Sequence, residues 1–129
     1  MSVNFNWFKT YSIREYNSCG GWSPGCDIFS IEYDKDSDCM SVSYTSRTKI
    51  QNTIERITGK MIPSLDESRE FDTPESIHSI LIKPEELSVM MDQVLASEEM
   101  IEDKDDVKDR IELFKKLADN GFYITFDVN

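Results

Sequence analysis

Between Pro84 and Asp119 apolar residues recur twice at helical spacing, and no other feature restricts the fold of this chain so much. Leu87, Met90, Met91, Val94 and Leu95 form one stripe, opened by Pro84, whose fixed φ suits the first helical position. Val107, Ile111, Phe114, Leu117 and Ala118 form a second stripe within about Asp105–Asp119. Asp103, Asp105 and Asp106 at its start and Lys115 and Lys116 at its end suit the helix dipole. An apolar stripe must be covered by another layer, so both helices call for a sheet or further helices to pack on. Asn120-Gly121 is a stop signal, after which Phe122, Ile124, Phe126 and Val128 alternate as a core strand.

The first half of the chain supplies the strands. Val3, Phe5 and Trp7 alternate with Asn4, Asn6 and Phe8, a period of two that continues through Tyr11 and Ile13 toward Tyr16, with a bulge or break near Lys9-Thr10. Asn17–Cys26 contains three glycines and a proline and reads as a loop. Asp27–Asp34 and Cys39–Thr45 both alternate, and Lys35-Asp36-Ser37-Asp38 has the length and composition of a hairpin turn between them. Over Arg47–Thr58 the period switches: Ile50, Ile54 and Ile57 mark a helix, Thr48 and Gln51 have capping-box spacing, and Gly59 suits the position after its end. Residues 60–73 form a connector anchored by Met61, Ile62, Leu65 and Phe71, with a helical turn expected at Ser64, three residues before Glu67. Ser76–Lys83 is β-branched and ends at Pro84, which predicts a strand, although Thr73-Pro74-Glu75 could equally start a helix. The order is β-β-β-α-β-α-α-β. It predicts an α+β fold with a mixed or antiparallel sheet of four to five strands and about three helices, mainly on one face. A length of 129 residues fits one domain over residues 1–129.

Charge is distributed unevenly. Residues 1–64 carry seven acidic and seven basic side chains, whereas residues 65–129 carry eighteen and seven, so the whole formal net charge of −11 lies in the second half. Such a chain repels nucleic-acid phosphates and anionic membrane surfaces and is steered toward basic ones. The bland reading of the same charge is solubility alone. The N-terminus has no basic stretch followed by an apolar run, and no run approaches the ~20 apolar residues of a membrane helix. Three cysteines, Cys19, Cys26 and Cys39, read as reduced thiols of a cytoplasmic protein.

Motifs with chemistry are scarce. Asp34, Asp36 and Asp38 open like a calcium loop, but Cys39 and Thr45 stand where Gly and Glu are required, so a plain turn is expected. The three cysteines and His78 lack the tight spacing of a zinc knuckle. His78, the sole histidine, has no flanking carboxylate to orient it as a general base. Nucleotide-binding glycine patterns and nucleophile elbows are absent. No metal, cofactor or catalytic residue is therefore expected.

Two stretches remain. One is the acidic turn between the last two helices: Glu98, Glu99, Met100, Ile101, Glu102, Asp103, Asp105 and Asp106. Read blandly it is a solvated connection; read functionally it is an anionic patch with Met100 and Ile101 as apolar contacts for a basic protein surface. The other is Trp22 at the tip of the glycine-rich loop, which either folds onto the core or projects as an interface anchor. In size and charge alone, the chain resembles small acidic inhibitors: immunity proteins of nuclease toxins, antitoxins, and phage proteins that imitate nucleic acid to block host machinery. The resemblance implies a non-catalytic protein whose partner is a nuclease or other nucleic-acid enzyme, with no direct contact to nucleic acid or membrane. Two other readings stand beside it. One is a small ligand-binding or catalytic domain using the Cys19–Cys26 loop, and the other is an assembly subunit that pairs through an open sheet edge.

Overall fold

A computed structural model describes residues 2–17, 27–33, 39–101 and 107–128. It shows an α+β fold with two antiparallel sheets. Strand β1 (Ser2–Phe8) lies between β4 (Cys39–Ser43) and β5 (Tyr123–Val128), and β2 (Tyr11–Asn17) pairs with β3 (Asp27–Tyr33).

The hairpin expected between Asp27–Asp34 and Cys39–Thr45 does not form. Those strands belong to different sheets: β3 pairs with β2, and β4 pairs with β1. β1 and β2 are two parts of one run of chain, creased where Lys9-Thr10 interrupts it, and the β1–β4 and β2–β3 ladders differ in register by one residue. Alternation identified each strand but carries no information on which strand it will meet.

Val3, Phe5 and Trp7 of β1, Val42 of β4, and Ile124 and Phe126 of β5 point to one side of the three-stranded sheet. In the same core lie residues of α1 (Tyr44–Thr58), α3 (Pro84–Leu95) and α4 (Val107–Asp119); most of each sequence stripe is buried, with Ile57, Leu95 and Leu117 only partly so, and α1 also buries Gln51 and Thr53. The Phe5 ring lies 5.1 Å from that of Phe114 and 6.1 Å from that of Phe126. α1 starts earlier than its hydrophobic period suggests, because Ser43 caps it by accepting a hydrogen bond from the Ser46 amide; the cap cuts β4 short at Ser43. Gly59 ends α1 in the left-handed region at φ 82°. α4 ends in a Schellman turn, with the Phe122 amide donating to Leu117 and that of Gly121, at φ 86°, donating to Ala118.

Ser76–Lys83 is not a strand. Thr73 accepts a hydrogen bond from the Ser76 amide, Pro74 takes the first helical position, and α2 runs Pro74–Ile80, ending before Pro84 as a pre-proline segment must. α2 packs on the β2–β3 ribbon around a smaller core of Phe8, Ile31, Leu65, Phe71, Ile77 and Leu81. The segment after Gly59 links the two sheets. Gln51, fully buried on α1, donates to the Ile62 carbonyl at 2.8 Å and accepts from its amide at 2.9 Å. Ser64 then bridges to Phe126 of β5, and Phe71 to Phe29 of β3. The helical turn expected at Ser64 is replaced by this extended run because its backbone groups pair with strand edges instead. No described helix is long and apolar enough to cross a membrane.

Candidate functional site

The acidic surface is carried by α3, α4 and the turn between them. Residues 84–119 hold twelve acidic side chains against five basic ones. Amphipathic pairing forces the charge outward: with Leu87, Met91, Ile111 and Phe114 in the core, Glu85, Glu86, Asp92, Asp109, Glu112 and Asp119 are exposed. Lys115 is drawn into this surface. Its ammonium lies 3.0 Å from Asp92 and 2.9 Å from Asp119 and donates to Ser88 at 2.6 Å. Hydrogen bonds to Asp119 and Asp92 push the Lys115 pKa up, and hydrogen bonds from Ser88 and Lys115 hold Asp119 below the usual carboxylate range. The network ties α3 to α4.

The turn itself is sorted by burial. Glu98–Met100 is a single 3-10 turn with Glu98 and Glu99 exposed. Glu99 pairs with Arg56 of α1, which ties the turn to the helix beneath it. Met100 is only 7% exposed and belongs to the core, so its expected role as a surface contact is corrected: it closes the end of the helical layer. Ile101 is 81% exposed and remains the apolar element of the patch. Glu102, Asp103, Asp105, Asp106 and Trp22 lie outside the described residues, as do Cys19, Cys26, Asp34, Asp36 and Asp38.

A second polar region was not foreseen. On the side of β1 and β5 away from α1, α3 and α4, Asn4, Asn6, Thr125 and Asp127 form a polar patch, and Phe8 and Tyr123 on the same face join the smaller core that α2 shares. Asn6 donates to Asp127 Oδ2 at 3.1 Å. Thr125 is 0% exposed, and its hydroxyl has no hydrogen-bond partner; Oδ1 of Asp127 is likewise buried and unpartnered. The Tyr33 ring stacks on Phe8 at 4.4 Å. Its pKa is pushed up to about 12 by burial and by the carboxylates of Asp127, Glu67 and Asp66. The strand's alternation placed these side chains opposite the core, and Thr125 is buried there as well.

At the crease, an open cleft of about 500 Å³ is lined by Thr10, Tyr11, Ser12, Glu32 and Tyr33. His78 lies on α2 rather than on a strand, and its Nδ1 meets the Tyr11 hydroxyl at 2.7 Å. Burial raises the Tyr11 pKa, with Tyr123 adding to it. The imidazole is thus oriented by a phenol hydroxyl. Cys39 is exposed as a free thiol, and no group of three or more His, Cys, Asp or Glu among the described residues is placed to hold a metal ion. No family model, curated protein or solved structure matches this chain.

Proposed function

We propose that the protein is a non-catalytic binding protein whose acidic α3–α4 surface occupies a basic surface on a nucleic-acid-acting enzyme, in the manner of an immunity protein, antitoxin or phage inhibitor. One observation carries the reading. Among the described residues, Glu85, Glu86, Asp92, Asp109, Glu112 and Asp119 are exposed on two packed helices, with Glu98, Glu99 and the exposed Ile101 after the first of them. An anionic face of this kind accelerates encounter with a cationic partner, and an exposed apolar side chain beside it supplies short-range contact once the charges have steered it. The most basic surfaces among proteins are those built to hold nucleic-acid phosphates, which is why a nuclease or polymerase is the partner class that suits it best.

The test is association with the basic protein that co-purifies from the native host. Raising salt from low to several tenths molar should slow association at least about tenfold, because exposed charges are screened beyond ~8 Å at physiological ionic strength. Glu98→Lys with Glu99→Lys should slow it further while dissociation changes little. Salt-independent binding, or an unchanged on-rate in the reversed variant, would overturn the proposal.

A further inference from the structure

Where α3 starts and α4 ends, the structure leaves an open cleft of about 360 Å³, lined by Pro84, Glu85, Ser88, Ala118, Asp119 and Gly121. Its walls are of two kinds. Pro84 and Ala118 are buried and apolar and Gly121 carries no side chain, so an aliphatic stem can lie against them. Glu85 and Asp119 contribute exposed carboxylates. The positive start of α3 meets the negative end of α4 there, so the helix dipoles offset each other and the side chains set the sign. None of the lining side chains is a cation. Beside the cleft, Ser88, Asp92 and Asp119 already hold the ammonium of Lys115, so this seam seats one cation of its own chain. Ser88 and Lys115 both bind Oδ1 of Asp119, which leaves Oδ2 for another donor. Glu85 stands next to the Glu86 that Lys60 neutralises and has no ion-pair partner itself among the described residues.

We infer that this cleft receives one lysine or arginine side chain of a partner protein, its stem along Pro84 and Ala118 and its charge shared by Glu85 and Asp119. Both side chains suit such a place, because their methylenes bury against apolar surface while the charged head stays with the carboxylates and water. The inference rests on the reading above in taking the partner to be basic, and it adds the position at which that partner inserts a side chain. The distinction is kinetic: spread charge steers encounter, whereas a seated side chain slows dissociation.

The experiment uses the full chain, labelled with nitrogen-15 and followed by NMR. It is titrated with N-acetyl-lysine methylamide and with N-acetyl-arginine methylamide at about 0.15 M salt, where long-range attraction is screened. The backbone amides of Glu85, Ser88, Asp119 and Gly121 should move together and saturate with at least one of the two. N-acetyl-norleucine methylamide, which keeps an aliphatic stem and lacks the charge, should leave them still. Glu85→Gln should weaken binding about two- to fivefold, the loss expected for an exposed ion pair. Glu112→Gln removes the same charge from α4 outside the cleft and should leave binding unchanged. Both side chains are exposed, so neither substitution disturbs the core. Absent or unsaturable shifts with both cations, an equal response to norleucine, or unchanged affinity in Glu85→Gln would overturn the inference. Equal weakening by the two variants would also overturn it, since only net charge would then be felt. Failure here leaves the acidic helical surface untouched, because that is decided by salt and by Glu98 and Glu99.

Discussion

The two sides of β1 and β5 are built from the same strands and follow opposite rules. Toward the helices, Phe5, Trp7, Ile124 and Phe126 join the buried apolar side chains of α1, α3 and α4 in the larger core. On the other side, Asn6 opposes Thr125 and Asn4 opposes Asp127, and two polar atoms are buried without partners. The first side is what a sheet needs in order to fold. The second costs stability, and a strand that merely needed a polar outer face would have left those groups in water. The difference separates the side that holds the molecule together from one whose buried polar atoms weaken it.

The largest effect should come from the helical side. Phe5→Ala removes a ring packed between Phe114 and Phe126 and should cost about 3–5 kcal/mol in urea unfolding. A loss below about 1 kcal/mol would mean that this side is not the principal core. Gln51→Leu is next. The amide is as buried as Thr125 but fully paired, and its removal strands both backbone groups of Ile62, for an expected loss of about 2–3 kcal/mol. Thr125→Val should by contrast be neutral or stabilising by up to about 1 kcal/mol, because it removes a polar atom that has no partner. If the two variants lost the same stability, the hydroxyl would have a partner and the contrast between paired and unpaired polar groups would fail.

The smallest effect is one of pH. In the folded protein Tyr33 is raised from 10.0 to about 12, so the neutral phenol is favoured by folding. Its contribution is complete below pH 10 and is lost as pH rises toward 12, where the folded form also ionises. Stability of Tyr33→Phe should therefore decline less steeply than that of the parent between those two values. Parallel alkaline profiles would show that the ring is not shielded beside Asp127.

Much of the helical layer can be read directly from residues. The stripes of α3 and α4, the helical start at Pro84, and the stops at Gly59 and Asn120-Gly121 depend on periodicity and on positive φ, both of which are local. Ser76–Lys83 misled because β-branched content favours a strand, while the Thr73 cap and Pro74 favour a helix, and packing of Ile77 into the smaller core settled the contest. Met100 misled for a similar reason: beside so many carboxylates it looked like surface, but the chain needed an apolar plug where the helices part.

By itself, then, the sequence determined the α+β class, the strands and helices of strongest period, and an acidic excess confined to the second half, since each follows from neighbours within a turn or two of one another. Only the tertiary structure decided that β3 pairs with β2 instead of β4, that residues 60–72 stitch one sheet to the other, and that Thr125 and Asp127 are buried together. Those are contacts between residues far apart in the chain, and alternation specifies which face a side chain takes without specifying what will lie across from it.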